Sequence, residues 1–498
     1  MRKFFSNLKT QHLAIMIFFL VLFFSFIWAA VVPLDGEGPD EPQHLAVIRQ
    51  IAKEKQLPVF HHSDITFSPG LLSGAYYPMT YNSAFNYLFY LPVSGLNQDK
   101  GGSAILYYRL ISSLLLALFS ATLFLGLAKI KPTNLRISLT VTLFISLIPQ
   151  VLFSGGYVNI EPVALLFSAL VFYFLQNYLE RKTFKSALLL GVFAGLLALC
   201  KVNYFIWLAT ALLIALVAIY KNHHGRERLY SVLALLLPII IINAYWWLRN
   251  YQLYGDPLIV NYISNQIKIN APDWFAPPAV RGYNIFSILF EANFIKFTYL
   301  GFFASLGGAI IFLPIIVYYI FYLLLFSPVV LALYNSFQLR SNRLQVAFLF
   351  LLIWLSLLYF ANKNLTDFSP QGRHLFPLLF VFAWLMYLGL CRLKNRFLIS
   401  IFPLFSLAAA IYSLWFMVDR FYVKGSGYVS SSNFGNYLGD FSWRNLSLIK
   451  LEGLLNYIVN NNPKIFSFFP IIIYLLIFFI LYFVIYIYII WSKNDKNN

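Results

Sequence analysis

Long runs of apolar residues separated by short polar turns dominate the chain. Crossing a bilayer takes about 20 apolar residues, and runs of about that length predict about twelve transmembrane helices. The first run has no small-x-small cleavage site before Pro33, so we expect an uncleaved helix. The runs cover residues 12–32, 105–128, 136–153, 158–179, 184–200, 203–220, 229–248, 308–336, 344–361, 373–390, 397–417 and 465–491.

Basic residues mark alternate loops between these runs. By the positive-inside rule those loops are cytoplasmic, together with both termini. Three long segments then fall on the outer face, residues 33–104, 249–307 and 418–464. They are too short and too apolar for separate domains. We therefore expect a single polytopic domain over residues 1–498, with amphipathic helices in the outer loops.

Composition agrees with this all-α integral membrane class. The chain is 60% hydrophobic and 11% charged, whereas a soluble domain carries about 25% charged residues. About half of the positive charge belongs to the cytoplasmic loops, so the net charge of +18 does not indicate nucleic-acid binding. The partners expected from composition are membrane lipids. The Lys, Asn, Ile and Phe content is typical of an AT-rich bacterial genome, which favours the inner (plasma) membrane.

The stretch that leaves the first predicted helix is unusually acidic for a chain with only 18 Asp and Glu residues. Directly after it, apolar residues recur at helical spacing over 45–52, which predicts an amphipathic surface helix with Pro39 or Pro42 in its first turn. The ionisable residues of the stretch are Asp35, Glu37, Asp40, Glu41 and His44.

Two interpretations of this acidic stretch remain open. Asp40 and Glu41 could simply cap the helix, where acids meet the positive end of its dipole. Capping does not account for His44, which falls on the same helix face as both acids. The alternative is a carboxylate base at the membrane surface, oriented by a second carboxylate, by the imidazole or by a metal ion.

Four segments together resemble a group of bacterial membrane proteins related to the GT-C glycosyltransferases. That superfamily includes protein O-mannosyltransferases, the aminoarabinose transferase and oligosaccharyltransferases. The similarity extends over roughly residues 28–390. The segments are Gly-Pro-Asp-Glu-Pro-Gln-His at 38–44, Tyr-Val-Asn-Ile-Glu at 157–161, Trp-Leu-Arg-Asn-Tyr-Gln-Leu-Tyr-Gly-Asp-Pro at 247–257 and Ser-Pro-Gln-Gly-Arg-His-Leu-Phe-Pro at 369–377.

The chain departs from the group's pattern at three places. His374 stands where an aromatic residue usually follows Gln-Gly-Arg, and Glu161 stands where Asp is frequent. A His-Pro-Pro-like turn appears here as Tyr-Tyr-Pro-Met from Tyr76. The first two changes keep the chemistry, whereas the third affects any acceptor or lipid contact assigned to residues 76–81.

The resemblance implies a GT-C-like bundle that moves a sugar from a polyprenyl-phosphate donor to a glycan, lipid or protein acceptor on the outer face. Such a reaction needs a base for the acceptor hydroxyl, cations for the departing phosphate and an apolar groove for the lipid. We expect Asp40 to be the base, with Glu41 as the second catalytic candidate. The supporting residues are His44, Asn159 and Glu161.

For the phosphate, the candidates are ionisable groups at predicted outer helix ends. Arg373 is the first of them, because a guanidinium grips two phosphate oxygens and Gly372 supplies a flexible neighbour. Lys201 and Arg249 could equally extend to lipid headgroups. The candidate phosphate ligands are Lys201, Arg249, Arg373 and His374, and a divalent cation could be held by Asp40, Glu41, His44 and Glu161.

A transporter or flippase of a lipid-linked glycan is the alternative from another class. It too would have about twelve spans, but alternating access requires a site near the bilayer midplane. Here the acids gather on one face. A polysaccharide polymerase that uses outer-loop arginines is a further alternative. The requirement for Asp40 in turnover distinguishes the transferase from both.

Overall fold

The computed structural model describes most of the chain up to residue 421. The described ranges are 2–33, 38–67, 75–76, 83–95, 101–131, 134–307, 311–339, 343–393 and 395–421. Asp35, Glu37, most of the predicted outer segment 418–464 and the last predicted span 465–491 lie outside them. The described part is almost entirely helical.

Eighteen helices follow one another along the described residues. They are α1 (Arg2–Val31), α2 (Glu41–Glu54), α3 (Phe85–Leu88), α4 (Leu91–Ser94), α5 (Gly101–Ile130), α6 (Leu135–Ser146), α7 (Pro149–Gly155), α8 (Glu161–Arg181), α9 (Phe184–Ala198), α10 (Phe205–Asn222), α11 (Gly225–Tyr254), α12 (Val260–Asn270), α13 (Ile285–Phe290), α14 (Phe294–Phe303), α15 (Ile315–Leu339), α16 (Arg343–Lys363), α17 (Leu378–Leu390) and α18 (Arg396–Phe421).

Short elements connect these helices. Strands β1 (Thr66–Phe67) and β2 (Ala75–Tyr76) form one antiparallel pair, with Thr66 opposite Tyr76. Strands β3 (Ser305–Leu306) and β4 (Ile311–Phe312) form a second, with Ser305 opposite Phe312. Single 3₁₀ turns cover His62–Asp64, Val202–Tyr204 and Gly372–Leu375.

The predicted all-α membrane class is confirmed. Within the described ranges, eight helices are long and apolar enough to span a bilayer, and α6 with α7 make a ninth candidate that is bent by 68°. The predicted number of twelve is not confirmed. Helices α9 and α17 have 15 and 13 residues, so each measures about 20 Å, short of the roughly 30 Å hydrocarbon core.

The centre of the bundle consists of α1, α5 and α8, which pack along one another. Around it, α9 packs on α11 and α15 packs on α17. Glycines allow two of these contacts. A Cβ atom at Gly191 of α9 would lie 2.4 Å from the Leu235 carbonyl oxygen, and one at Gly389 of α17 would lie 2.0 Å from the Pro328 carbonyl oxygen. Small residues that bring helix backbones together are typical of membrane bundles.

Helix α2 is the amphipathic helix predicted after the acidic stretch. Leu45, Ile48 and Ile51 are buried on its inner face, whereas Arg49 is exposed. Pro42 lies in its first turn, as the sequence predicts. Because this face joins the main apolar core, the start of α2 is held against the end of the bundle.

Substituting Gly191 tests the α9–α11 contact. We expect Gly191→Ala to lower the free energy of unfolding by about 1–3 kcal/mol, because a methyl group there would overlap backbone atoms of α11. The measurement is detergent-induced unfolding of the purified protein. Gly95→Ala is the matched control, since a Cβ at Gly95 meets no atom within 4 Å. Equal stability of the two variants would contradict the close contact.

Candidate active site

Arg109 of α5 is fully buried and uses all of its N–H groups. Its Nε and Nη2 donate to the two carboxylate oxygens of Glu41, at 2.9 and 2.5 Å. Its other three bonds go to the carbonyl oxygens of Ala29, Val32 and Pro33. Carbonyls at a helix end have no partners within the helix. Arg109 therefore fastens the end of α1 to the first residue of α2.

Glu41 is committed to this structural contact. Its side chain is 1% exposed, and besides Arg109 it accepts a hydrogen bond of 2.8 Å from the backbone N–H of Val158. A Cβ atom at Gly38 would lie 3.0 Å from a carboxylate oxygen of Glu41 and 2.7 Å from Cβ of Tyr157. This packing explains the glycine of the motif and leaves Glu41 little access to a substrate.

Asp40, the neighbouring acid, is placed differently. It is the residue before α2, its backbone has a positive φ of 60°, and its side chain makes no capping hydrogen bond. Asp tolerates this left-handed conformation better than most residues. Its Oδ2 accepts a hydrogen bond of 3.0 Å from Nη2 of Arg373, and its side chain is 30% exposed. The capping interpretation therefore does not describe Asp40.

Arg373 connects the first acidic stretch to the late Gln-Gly-Arg segment. Its Nη1 donates to the Tyr157 hydroxyl at 2.7 Å. Burial opposes its charge, but Tyr157, Asp40 and Glu161 outweigh this effect and raise the Arg373 pKa. Gly372 is not the flexible neighbour that the sequence suggested. A Cβ there would lie 2.0 Å from the Phe302 amide nitrogen, so this turn packs directly on the backbone of α14.

Glu161 begins α8 and forms a second ion pair. Its Oε1 binds the Lys201 ammonium, and its Oε2 accepts a hydrogen bond of 3.0 Å from the Tyr204 hydroxyl. Asn159 supports it, since Asn159 Oδ1 accepts from the Glu161 backbone N–H at 2.8 Å. Lys201 is 16% exposed. Glu161 is thus positioned from both sides while its cationic partner keeps solvent access.

His374 lies between Lys201 and α16. Its Nδ1 is 3.0 Å from Asn203 Nδ2, and its ring centroid is 5.4 Å from that of Phe360. Burial, followed by the positive charges of Lys363, Lys201 and Arg373, holds the His374 pKa well below its ordinary value. Its imidazole is therefore neutral near pH 7 and can contact a phosphate only as a hydrogen-bond donor.

His44 lies on the buried face of α2, close to Asp40 and Arg373. Its Nδ1 is 3.1 Å from the Tyr87 hydroxyl. Burial lowers its pKa to about 4, although Asp40 opposes the shift. Like His374, it is neutral near pH 7, and its contact with Tyr87 fixes α2 against α3.

The structure does not bring every predicted site residue into this cluster. Arg249 donates to the carbonyl oxygens of Pro58 and Leu57, at 2.8 and 3.4 Å, and lies over the Trp246 ring. Arg249 therefore joins the first outer loop to α11 and is not part of the cluster around Arg373. Both hydrogen bonds come from Nη2, and they direct the guanidinium toward the first outer loop.

The predicted divalent cation has no ready ligand set among the described residues, where no three His, Cys, Asp or Glu side chains form a group that could hold one. Glu41 is occupied by Arg109 and Glu161 by Lys201 and Tyr204. Both carboxylates already have cationic partners. A metal ion therefore remains a prediction and enters no step below.

A small cavity beside His374 has a volume of about 10 Å³. Its lining includes Asn203, Ser356, Tyr359 and Phe360. This volume accommodates about one water molecule. A sugar phosphate is larger than this cavity, whereas Asp40 and Lys201 are both partly exposed.

Sequence reasoning missed several residues of the site. Arg109 carried a usable signal, because an ionisable residue inside an apolar span is expensive and needs a partner. Lys363 also carried a usable signal, because it is a lysine at a predicted outer helix end. Tyr204 and Asn203 carried none, since an aromatic or amide residue at the start of a span is ordinary.

Comparison with known proteins gives a family match over part of the chain. Residues 60–254 match the family model described as dolichyl-phosphate-mannose-protein mannosyltransferase. The matched part contains Glu161 and Lys201, whereas Asp40 and Arg373 lie outside it. The match confirms the resemblance to the GT-C superfamily of membrane glycosyltransferases.

Other comparisons are more distant. The chain is similar to the apo form of the oligosaccharyltransferase of Archaeoglobus fulgidus, with 15% sequence identity and a TM-score of 0.41. The similarity covers 80% of this chain and 55% of that chain, so this chain spans about half of that protein's length. No curated protein matches the chain.

Removing either partner of the Arg109–Glu41 pair should destabilise the protein. We expect Arg109→Gln and Glu41→Gln each to lower the free energy of unfolding by about 3–5 kcal/mol, because each leaves a buried charge unpaired. Unfolding in a detergent titration measures this. Glu180→Gln breaks the exposed pair with Lys129 and should cost less than about 1 kcal/mol. Losses of similar size in all three variants would contradict a special role for Arg109.

The buried state of His44 predicts a pH dependence of stability. Between pH 6.5 and about 4 the unfolded chain binds a proton at His44 that the folded protein does not. The contribution of His44 to stability should therefore be complete above pH 6.5 and fall with decreasing pH, by at most about 1.4 kcal/mol per pH unit, and His374 adds a contribution of the same sign. His44→Gln should flatten this slope, whereas the exposed His12→Gln should keep it. The measurement is unfolding in detergent from pH 7.5 to 4.5, and identical slopes for wild type and His44→Gln would refute the assignment.

Proposed function

We propose that the protein is a glycosyltransferase that moves a sugar from a polyprenyl-phosphate donor to a glycan, lipid or protein acceptor. The reaction takes place on the outer, periplasmic or extracellular, face of the inner membrane, with Asp40 as the general base. The match to the dolichyl-phosphate-mannose-protein mannosyltransferase family supports a lipid-phosphate-linked donor, with mannose as the first sugar to test.

The observation that carries this proposal is the free oxygen of Asp40. Glu41 and Glu161 have both carboxylate oxygens bound, whereas Asp40 Oδ1 accepts no hydrogen bond from any residue that the structure describes. The 30% exposure of Asp40 gives an acceptor hydroxyl access to this oxygen. Arg373 holds the other oxygen and so fixes the direction of the free one.

The candidate cations for the departing phosphate lie near Arg373, since Lys201 and Arg373 both act on His374. Lys201 is partly exposed although it is bound to Glu161. The neutral His374 is a further hydrogen-bond donor. Such preorganised charge stabilises negative charge where it develops in the transition state.

The reaction proceeds by a single displacement. The acceptor hydroxyl oxygen attacks the anomeric carbon of the sugar while its proton passes to Asp40 Oδ1. The bond from this carbon to the phosphate oxygen breaks, and its electron pair leaves with the lipid phosphate. A single displacement inverts the anomeric configuration.

Helix directions support the outer-face assignment. Asp40 follows α1, Glu161 begins α8, Lys201 follows α9 and Arg373 precedes α17. All four are helix ends that the positive-inside rule puts outside, together with the end of α16. Their meeting at one end of the bundle supports the predicted topology with cytoplasmic termini.

Asp40→Asn tests the base. In proteoliposomes with polyprenyl-phosphate-[³H]mannose, we expect turnover of the donor to fall by about 10²–10⁴-fold, because Asn cannot accept the proton. Donor affinity should change by less than a factor of about three, since the phosphate ligands remain. Turnover is measured as release of polyprenyl phosphate, and affinity by equilibrium binding.

Glu54→Gln is the matched control, because it removes one exposed acid from the other end of the same helix. It should keep wild-type turnover. Full turnover by the Asp40→Asn variant would refute the role of Asp40 as general base. Net movement of donor across the membrane without cleavage would support a transporter in place of the transferase.

A further inference from the structure

Lys363, the last residue of α16, is a cation that the mechanism above does not use. It is exposed, although the adjacent Ala361 and Asn364 are buried. Its Nζ donates no hydrogen bond to any residue within the described ranges. Phe360 lies one turn earlier on the same face of α16, and the ring of Phe360 contacts His374. Lys363 thus extends from α16 next to the Gly372–Leu375 turn.

Electrostatic neighbours place Lys363 at the candidate active site. The charges that act on it are those of Lys201, Asp367, Glu161 and Arg373, with Lys201 having the largest effect. Lys363 is in turn the charge with the largest effect on His374. A chain of contacts from Asn203 to His374 and Phe360 joins the Lys201 side of the site to α16.

Lys201 and Lys363 therefore act on each other, and the acids that act on Lys363 are Asp367 and Glu161. Glu161 is already bound to Lys201 and to the Tyr204 hydroxyl. Like charges at short range are unfavourable unless an anion lies between them. A helix-end lysine often just extends to lipid headgroups or to a nearby acid. The ring contact between Phe360 and His374 turns this face of α16 toward the site, and Lys201 has a larger effect on Lys363 than Asp367 has.

We propose that Lys363 together with Lys201 binds the phosphate of the departing polyprenyl carrier and prefers its dianionic, monoester form. This proposal rests on the proposed transferase function and deepens it. It assigns to Lys363 direct contact with the substrate. It adds a ligand on α16 to Lys201, which precedes the Val202–Tyr204 turn, and to His374 in the Gly372–Leu375 turn.

The charge change of the reaction explains why a second ammonium is useful. The donor is a phosphodiester with one negative charge. When the bond to the anomeric carbon breaks, the phosphate oxygen keeps the electron pair, and the monoester carries nearly two negative charges at pH 7. A cation that binds the second charge stabilises the transition state more than the ground state. Its loss lowers kcat more than it raises KM.

The test compares two probes with Lys363→Gln in nanodiscs: polyprenyl monophosphate and polyprenyl-phosphate mannose. We expect the affinity for the monophosphate to fall by about tenfold and that for the phosphodiester by less than about threefold. With mannosyl donor, kcat should fall by about tenfold or more at nearly constant KM. Lys363→Arg, which keeps the charge, should recover most of the monophosphate affinity.

Lys268→Gln is the control, since Lys268 is an exposed lysine on α12 outside the site. It should bind both probes as the wild type does. Unchanged monophosphate affinity in a folded Lys363→Gln variant would refute the role of Lys363, even if the wild type turns over donor. Lys363-dependent monophosphate binding in a wild type that never cleaves donor would refute the transferase and retain the anion site. Failure of the wild type to bind either probe would overturn both the role of Lys363 and the transferase function.

Discussion

The site depends on a buried arginine. Arg109 is enclosed by apolar helices, where an unpaired charge would be very costly, and its five N–H groups have five acceptors. Those acceptors belong to the end of α1 and to Glu41. Because Glu41 is fixed in this way, the neighbouring Asp40 is held at the surface of the bundle with its side chain turned toward Arg373. One ion pair thus determines where the candidate base lies.

The adjacent acids Asp40 and Glu41 differ in exposure and in hydrogen bonding. Asp40 and Glu41 are consecutive, yet one is 30% exposed with a free oxygen and the other is 1% exposed with both oxygens bound. Glu41 is the first residue of α2, whereas Asp40 precedes the helix with a left-handed backbone, so the two side chains leave the chain in different directions. Lys201 and Lys363 also differ, since Lys201 is bound to Glu161 whereas Lys363 donates no hydrogen bond to any residue within the described ranges. In the first pair the buried residue, Glu41, positions the site and leaves Asp40 exposed.

Close packing at two glycines also fixes the positions of the site residues. Gly38 packs on Tyr157, and Gly372 packs on α14. Both glycines belong to the motifs that carry the reactive side chains. A larger residue at either position would displace the backbone next to Asp40 or Arg373. These motifs therefore encode packing as much as chemistry, which is why they resemble related proteins over several residues rather than at single charges.

The sequence by itself determined the class of the protein. Apolar runs predicted its helices because each run has to bury its backbone hydrogen bonds in lipid, and the amphipathic period predicted α2. The sequence also identified Asp40, Glu161, Lys201 and Arg373, since charges are scarce in so apolar a chain. It could not separate Asp40 from Glu41, exclude Arg249 from the cluster or include Lys363. Those distinctions depend on which atoms meet across 68 to 333 residues of chain, and only tertiary packing decides that.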